Sequence, residues 1–231
     1  MTAIIKYPRT PHVTGSRLQP GDEDLPAIAR ETLAGLPLVV EEKLDGSNSA
    51  MSFDPAGNLI LQSRGHVLSG GPRERQFDLL KRWAGHHTPW LRHTLGARYI
   101  MYGEWLYARH TIAYDALPHY FLEFDVLDRE TGGFLSTDRR HALLAGGPVV
   151  SVPVLAAGAD LDIEGCIARS TCSTTETMEG LYLKHEENGR VIGRYKYVRP
   201  SFLQAVTDSG EHWMDRPIEP NRLREGVDLF A

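Results

Sequence analysis

Apolar residues along this 231-residue chain recur mostly with the period of two that suits strands. Runs rich in Val, Ile, Phe and Tyr predict strands over residues 38–44, 49–53, 58–63, 98–106 and 119–127. "DPAG" at 54–57 predicts a hairpin turn between the second and third of these. "PVVSVPVL" (148–155) predicts a further strand, and "EGLYLKHEENGRVIGRYKYV" (179–198) a hairpin turning at Asn188-Gly189. Helical spacing is confined to 24–33, to 73–95 with a break at "HHTPW", to 159–172 ("ADLDIEGCIARSTC") and to 201–206. "STDRRHALLAG" (136–146) adds a short helix with a Ser/Thr cap and a Gly stop. Strands outnumber helices and interleave with them without a βαβ rhythm, so the fold class expected is α+β with mostly antiparallel sheets and flanking helices.

Length suits one domain over 1–231, with residues 1–36 as an N-terminal segment and 207–231 as a tail, both packed on it. With 42% hydrophobic and 24% charged residues and no low-complexity run, the composition is that of a globular protein. No apolar stretch approaches the roughly 20 residues of a membrane helix. "MTAIIKYPRT" at the start lacks a signal-peptide core, so a cytoplasmic protein without membrane contact is expected. Cys166 and Cys172 have no flanking His cluster and read as reduced and structural. A net charge of −5 argues against a basic coat for bulk nucleic-acid binding, though a local basic groove stays open.

Five segments carry candidate chemistry. In "VVEEKLDGSNSAMSF" (39–53) a strand brings Lys43-Leu44-Asp45-Gly46-Ser47-Asn48 into a turn directly behind Glu41 and Glu42. Ser63-Arg64-Gly65 and Tyr102-Gly103-Glu104-Trp105 follow at strand ends, then Phe121-Leu122-Glu123-Phe124-Asp125-Val126. Glu179-Gly180-Leu181-Tyr182-Leu183-Lys184 opens the last hairpin, and Arg194 and Lys196 lie across it. Each alone has a plain reading. K-x-D-G is a common turn, and Glu104 fits a simple strand end. Phe121 and Phe124 lie on opposite strand faces, so one belongs to the core. Arg194 and Lys196 alternate with tyrosines as on any half-solvated strand. His66, His86 and His87 have no acid or Cys at metal spacing and read as solvated or capping residues.

In this order the segments resemble the motifs of the covalent nucleotidyltransferases, the superfamily of ATP-dependent DNA and RNA ligases and mRNA-capping enzymes, from Glu41 to Arg199. Asn48 stands where DNA ligases and capping enzymes usually carry Arg. Together with the Arg194-x-Lys196 spacing and the one-domain size, it is similar to the phage-type nick-sealing RNA ligases. The resemblance implies a nucleotidyltransferase, ATP-grasp-like ligase domain that joins RNA 3′-OH and 5′-phosphate ends in repair. It implies ATP as AMP donor, Mg²⁺ or Mn²⁺, a lysyl-AMP intermediate and then AMP-RNA.

By the same resemblance Lys43 is the nucleophile and Arg64 contacts ribose and the RNA 5′ phosphate. Glu104 binds ribose hydroxyl or metal-bound water, Phe124 stacks on adenine, and Glu179 acts through the metal's water shell, with Asp45 beside it. Arg194 and Lys196 pair on the α-phosphate, Asn48 assists sealing, and Glu42 positions adenine. A lysine nucleophile must be neutral, whereas free Lys titrates near ~10.4. Burial and nearby cations (a metal, Lys196, Arg194) are expected to lower that pKa.

The chain departs from that branch at both ends. Only residues 200–231 follow the last motif, where phage-type ligases carry a helical RNA-gripping domain. The tail holds Trp213, Arg216, Pro217 and Arg222, expected to pack over the catalytic domain or to grip an RNA end. Residues 7–24 are unlike ligase starts, and Arg9, His12, Ser16 and Arg17 there suit a phosphate or RNA terminus. Modest RNA affinity of the core leaves room for an RNA-end-healing partner protein. Competing readings are DNA ligation, capping, protein AMPylation, and a non-catalytic ATP- or RNA-end-binding module.

Overall fold

The computed structural model describes residues 4–18, 24–202 and 218–231. Its strands are β1 (Leu38–Lys43), β2 (Ser47–Phe53), β3 (Leu59–Ser63), β4 (Tyr99–Trp105), β5 (Phe121–Asp128), β6 (Gly133–Leu135), β7 (Val150–Ser151), β8 (Val154–Gly158), β9 (Gly180–Glu187) and β10 (Arg190–Val198). They form one sheet in the order β3-β2-β4-β5-β6-β10-β9-β1-β8, antiparallel throughout, with β7 added parallel to β5. The helices are α1 (Asp78–His86), α2 (Thr88–Leu95) and α3 (Thr137–Leu144). The α+β, mostly antiparallel expectation therefore holds.

β1 and β2 are consecutive in sequence, yet five strands lie between them in the sheet. Six ladder steps at ~4.8 Å would separate them by ~29 Å in a flat sheet. The four Cα links from Lys43 to Ser47 reach at most ~15 Å. The sheet must therefore fold over on itself, and residues 44–46 bridge the mouth of the fold. Gly46 is required here for close approach, since an added Cβ would stand 2.7 Å from the Trp105 carbonyl oxygen and from Leu106 Cδ2.

One half of the folded sheet carries the larger core. Leu80, Trp83 and Ala84 of α1 and Leu91 and Leu95 of α2 pack on Met101, Phe121 and Leu122. Trp83 stacks on Phe121 at 6.0 Å and 28°. A second core forms where Val13, Leu33, Leu38, Val40, Leu181 and Leu183 meet. The edge of β10 beyond β6 is covered by residues 11–17, which run parallel to it: Val13 N donates to the Lys196 carbonyl (2.9 Å) and Arg17 N to that of Val198 (3.0 Å). After the undescribed part of the tail, Asn221 is buried, and Leu223, Leu229 and Phe230 join the larger core. Among the described residues no helix is long and apolar enough to cross a membrane.

Beneath the fold lies a buried charge network. Arg140, on α3, bonds Glu123 of β5 at 2.6 Å and also Glu41 of β1. Lys184 of β9 reaches Glu41 at 2.9 Å and Asp125 at 3.0 Å, and all five groups are fully buried. Burial pulls Lys184 below the ordinary lysine range and lifts Glu123 above the carboxylate range.

Several elements differ from expectation. Residues 24–33 yield only a 3₁₀ turn at Arg30–Leu33. Pro26 biases Leu25 away from α, and Ile28 instead pairs with Val13. The helix expected over 159–172 is a string of turns. Asp160 adopts φ 53°, Asp162 caps Gly165 N at 3.0 Å, and Ser170 and Thr171 bond Glu42 rather than their own helix. The strand expected over 148–155 splits at Pro153, which lacks an N–H, into β7 and β8 on different partners. Strand β6 carried no sequence signal. The helix at 201–206 lies outside the described residues beyond Phe202, as do Trp213, Arg216 and Pro217 of the tail.

Replacing Arg140 by Met strands Glu123 without its cation and leaves Glu41 with Lys184 alone. We expect a loss of about 3–5 kcal/mol, read as a lower urea midpoint at unchanged slope, because an uncompensated buried charge is left behind. A variant within ~1 kcal/mol of wild type would mean that the carboxylates had simply taken up protons.

Candidate active site

The fold-over encloses a cleft of about 680 Å³. Strand ends from both halves converge on it: Lys43 from β1, Asn48 from β2, Glu104 from β4, Phe124 from β5 and Lys196 from β10. Glu179 enters from the residue before β9, with Glu42, Asp45 and Arg64 also on the lining. Asn48 and Glu104 are direct cross-strand partners in the β2–β4 ladder. Residues separated by more than a hundred positions are thus brought together.

Lys43 stands at the centre. Its Nζ donates to Glu179 Oε1 at 2.6 Å, with the lysine side chain 21% exposed and the glutamate 2%. Burial works against the ammonium, but Glu179, Glu104 and Asp45 outweigh it and hold the Lys43 pKa above the ordinary lysine value. The expected depression is therefore reversed, because the charges close to this amine are carboxylates. Glu104 is raised as well, but toward its neutral form: burial, with Glu179 and Asp45 nearby, lifts its pKa to about 8, although Lys43 opposes the shift. This carboxylate surplus fits a divalent cation, since Mg²⁺ and Mn²⁺ take oxygen donors and keep water between metal and protein. Among the described residues no group of three acids, His or Cys is set to ligate a metal directly, so such an ion would share its shell with water or phosphate.

Asp45 is partly spent. Its Oδ2 accepts from Thr111 N (2.7 Å) and Ile112 N (3.0 Å), and its own N–H donates to the Tyr114 hydroxyl (2.8 Å). It staples the Lys43 turn to the loop after β4, and Oδ1 lies 3.8 Å from His110 Nδ1. Glu42 is likewise engaged, accepting from Thr171 N at 3.0 Å, from its hydroxyl at 2.6 Å and from Ser170 Oγ. Phe124 is the one residue of β5 that is not buried and faces the cleft, while Phe121 belongs to the core. Lys196 is 8% exposed on the lining.

Five predicted residues are not on the lining. Arg194 is drawn aside, its guanidinium 3.9 Å over the Phe134 ring and 3.9 Å from buried Asp125, away from its expected partnership with Lys196. Arg9 pairs with Asp24 at 2.6 Å on the surface, and Arg17 is exposed beside Val198. His12 Nδ1 and Ser16 Oγ bond each other at 2.6 Å, and Ser16 accepts from Val198 N at 2.8 Å, so they anchor the N-terminal segment instead of offering a phosphate site. Conversely Tyr7, Thr10, Tyr182, His110 and Arg73 line the cleft without having been singled out. Tyr182 sat inside a quoted motif. Tyr7 had no local signal, being far from Lys43 in sequence within a Pro-rich stretch.

Residues 36–198 match the family model described as RNA ligase. No curated protein matches the chain. Among solved structures, Naegleria gruberi RNA ligase in a mutant form with ATP and Mn is 18% identical, covering 77% of this chain and 54% of that one, with a TM-score of 0.53. Another mutant form of the same ligase, also with ATP and Mn, is 16% identical over 90% and 64%, with a TM-score of 0.54. A putative ATP-dependent DNA ligase from Aquifex aeolicus is 19% identical over 84% and 50%, also at 0.54. At these identities the likeness is one of fold. The chain spans about half the length of the first of these ligases and of the last.

The lifted Glu104 pKa has a thermodynamic consequence. The folded chain keeps a proton there that the unfolded chain, near the ordinary 4.5, releases. That contribution to stability is fully present below the unfolded pKa and is lost as pH rises toward about 8. In metal-free buffer, wild type should lose roughly 10 °C more of melting temperature than Glu104→Gln between about pH 5 and about pH 8. Parallel melting curves would contradict this placement of Glu104.

Proposed function

The chain belongs to the RNA ligase family, and from that premise we propose that it is an ATP-dependent, cytoplasmic RNA ligase joining 3′-OH and 5′-phosphate ends in repair. The observation that carries this reading is Lys43, largely buried at the centre of the cleft and hydrogen-bonded at 2.6 Å to buried Glu179.

On this reading ATP binds with its base against Phe124 and its α-phosphate between Lys43 and Lys196. The amine must first shed a proton, and Glu179 is the acceptor already bonded to it. Nζ then attacks the α-phosphorus: the N–P bond forms, the bond to the bridging oxygen breaks, and pyrophosphate leaves, giving lysyl-AMP. Lys196 offsets charge growing on the phosphoryl oxygens. Mg²⁺ or Mn²⁺, held through water near Glu104 and Glu179, would neutralise phosphate charge when bound.

A 5′-phosphate oxygen of RNA next takes the AMP from Lys43, and Arg64 at the cleft rim receives that phosphate. The 3′ hydroxyl then attacks the same 5′ phosphorus, forming the phosphodiester and releasing AMP. Asn48, paired in register with Glu104, orients the ends for sealing. Arg194 is not assigned a part, since its contacts hold it on Phe134 and Asp125.

Incubation with a divalent metal and α-labelled nucleotide tests the reading. ATP should label the chain covalently, GTP should not, and Lys43→Ala should abolish the label. Nicked duplexes with RNA ends should then be sealed, with an end-healing partner needed only for damaged termini. No label from any nucleotide would sink the proposal. Equal sealing of all-DNA nicks would refute the RNA preference read from Asn48.

A further inference from the structure

The deep end of the cleft holds a feature that the motif residues leave unexplained. Phe124 of β5 and Tyr182 of β9 stand 6.3 Å apart, their ring planes 32° from parallel. A flat ring between them needs two van der Waals gaps, about 7 Å in all, so a base would part these two rings slightly as it enters. Tyr7, from the segment that precedes the family-matched residues, stands edge-on to Phe124 at 5.0 Å and 82°, and 6.5 Å from Tyr182. The three rings form a slot with two faces and an end wall, and all three line the cleft.

The hydroxyls around this slot form a directed chain. Tyr7 Oη donates to Asp125 Oδ2 at 2.5 Å, which uses its single proton. The 2.9 Å contact between the Tyr7 and Tyr182 hydroxyls must therefore be donated by Tyr182. Thr10 Oγ1, which also bonds the Tyr182 hydroxyl, is then the donor to it. Burial and the Asp125 charge hold Tyr7 well above the ordinary tyrosine pKa, so the proton stays in place. Tyr7 thus ties β5 to β9 across the two strands that separate them in the sheet, and Thr10 of the same segment secures Tyr182.

We propose that Tyr7 is the positioning residue of the nucleobase site: it closes the slot's end and fixes the spacing between Phe124 and Tyr182 for a purine ring. This rests on the nucleotide-binding reading above but not on the transfer chemistry. It makes the N-terminal segment part of the site, although that segment lies outside the matched family region.

The test uses the full chain carrying Lys43→Ala, which cannot turn over. ATP and inorganic tripolyphosphate are titrated calorimetrically against Tyr7, Tyr7→Phe and Tyr7→Ala forms. Loss of both hydroxyl tethers in Tyr7→Phe should weaken ATP about threefold, and loss of the ring in Tyr7→Ala about thirtyfold. Tripolyphosphate, which lacks a base, should bind all forms alike. Should Tyr7→Ala fail to melt cooperatively, Tyr7→Phe alone decides. Unchanged ATP affinity in a folded variant, or equal loss of ATP and tripolyphosphate, would overturn the proposal. A chain that takes no label from ATP yet shows the Tyr7 effect would sink the transfer chemistry and uphold this inference.

Discussion

Three residues, Leu44, Asp45 and Gly46, join strands that the sheet order places six ladder steps apart, and every feature of the site depends on that short link. A longer connection would let the two halves splay open; this one forces the sheet to close over a cleft. It also fixes what stands there. Lys43 is the last residue of β1 and Ser47 the first of β2, so the reactive amine sits where the halves approach. The link is braced from the side by the Tyr114 hydroxyl and by the backbone N–H groups that hold Asp45. Asp45 thereby does structural work at a position where the family resemblance implies metal chemistry, and only its second oxygen is left facing His110.

Charge is sorted into two levels around this cleft. Below it, Glu41, Glu123 and Asp125 are matched by Arg140, Lys184 and the nearby Arg194, so the buried layer is close to neutral by itself. At the cleft surface Glu104, Glu179 and Asp45 act on Lys43, while Lys196, Arg64 and Arg73 stand elsewhere on the lining. Adjacent residues of one strand serve different levels: Glu41 points to the buried layer and Glu42 to the Ser170–Thr171 turn, as the alternation of a strand requires. A closed, neutral foundation holds the strand ends still, while above it acids cluster on Lys43 and the cations Lys196, Arg64 and Arg73 stand where a ligand enters.

Much of this was legible in the sequence, for identifiable reasons. The strand runs, the "DPAG" turn and the Asn188-Gly189 turn, with φ of 52° and 76°, are local signals and came through nearly unchanged. Lys43, Glu104, Phe124, Glu179 and Lys196 sit at strand ends, and strand ends are where a folded sheet gathers side chains. What failed was decided by distant partners. Residues 159–172 have helical spacing, but Ser170 and Thr171 are claimed by Glu42 on another strand. Arg194 shares a strand face with Lys196, yet Asp125 and Phe134, which no spacing rule connects to it, hold its guanidinium aside. Tyr7 reaches Asp125 across 118 positions, a distance at which periodicity carries no information.

The state of Lys43 bears on the order of events in the proposed reaction. With carboxylates as its close neighbours, the amine is held as an ammonium, paired with Glu179, and so is not a nucleophile at neutral pH. The same carboxylates that keep it protonated would be the ones occupied when a nucleotide arrives with its counter-cation. Each positive charge brought near Glu179 or Glu104 weakens the stabilisation of the ammonium, while burial, which already disfavours it, remains. A cation bound at these carboxylates would therefore shift Lys43 toward the neutral form, against the pull of the nucleotide's own negative phosphates. On this reading the depressed lysine pKa that the chemistry demands is a property of the loaded site, supplied by the accompanying cation and not stored in the resting protein.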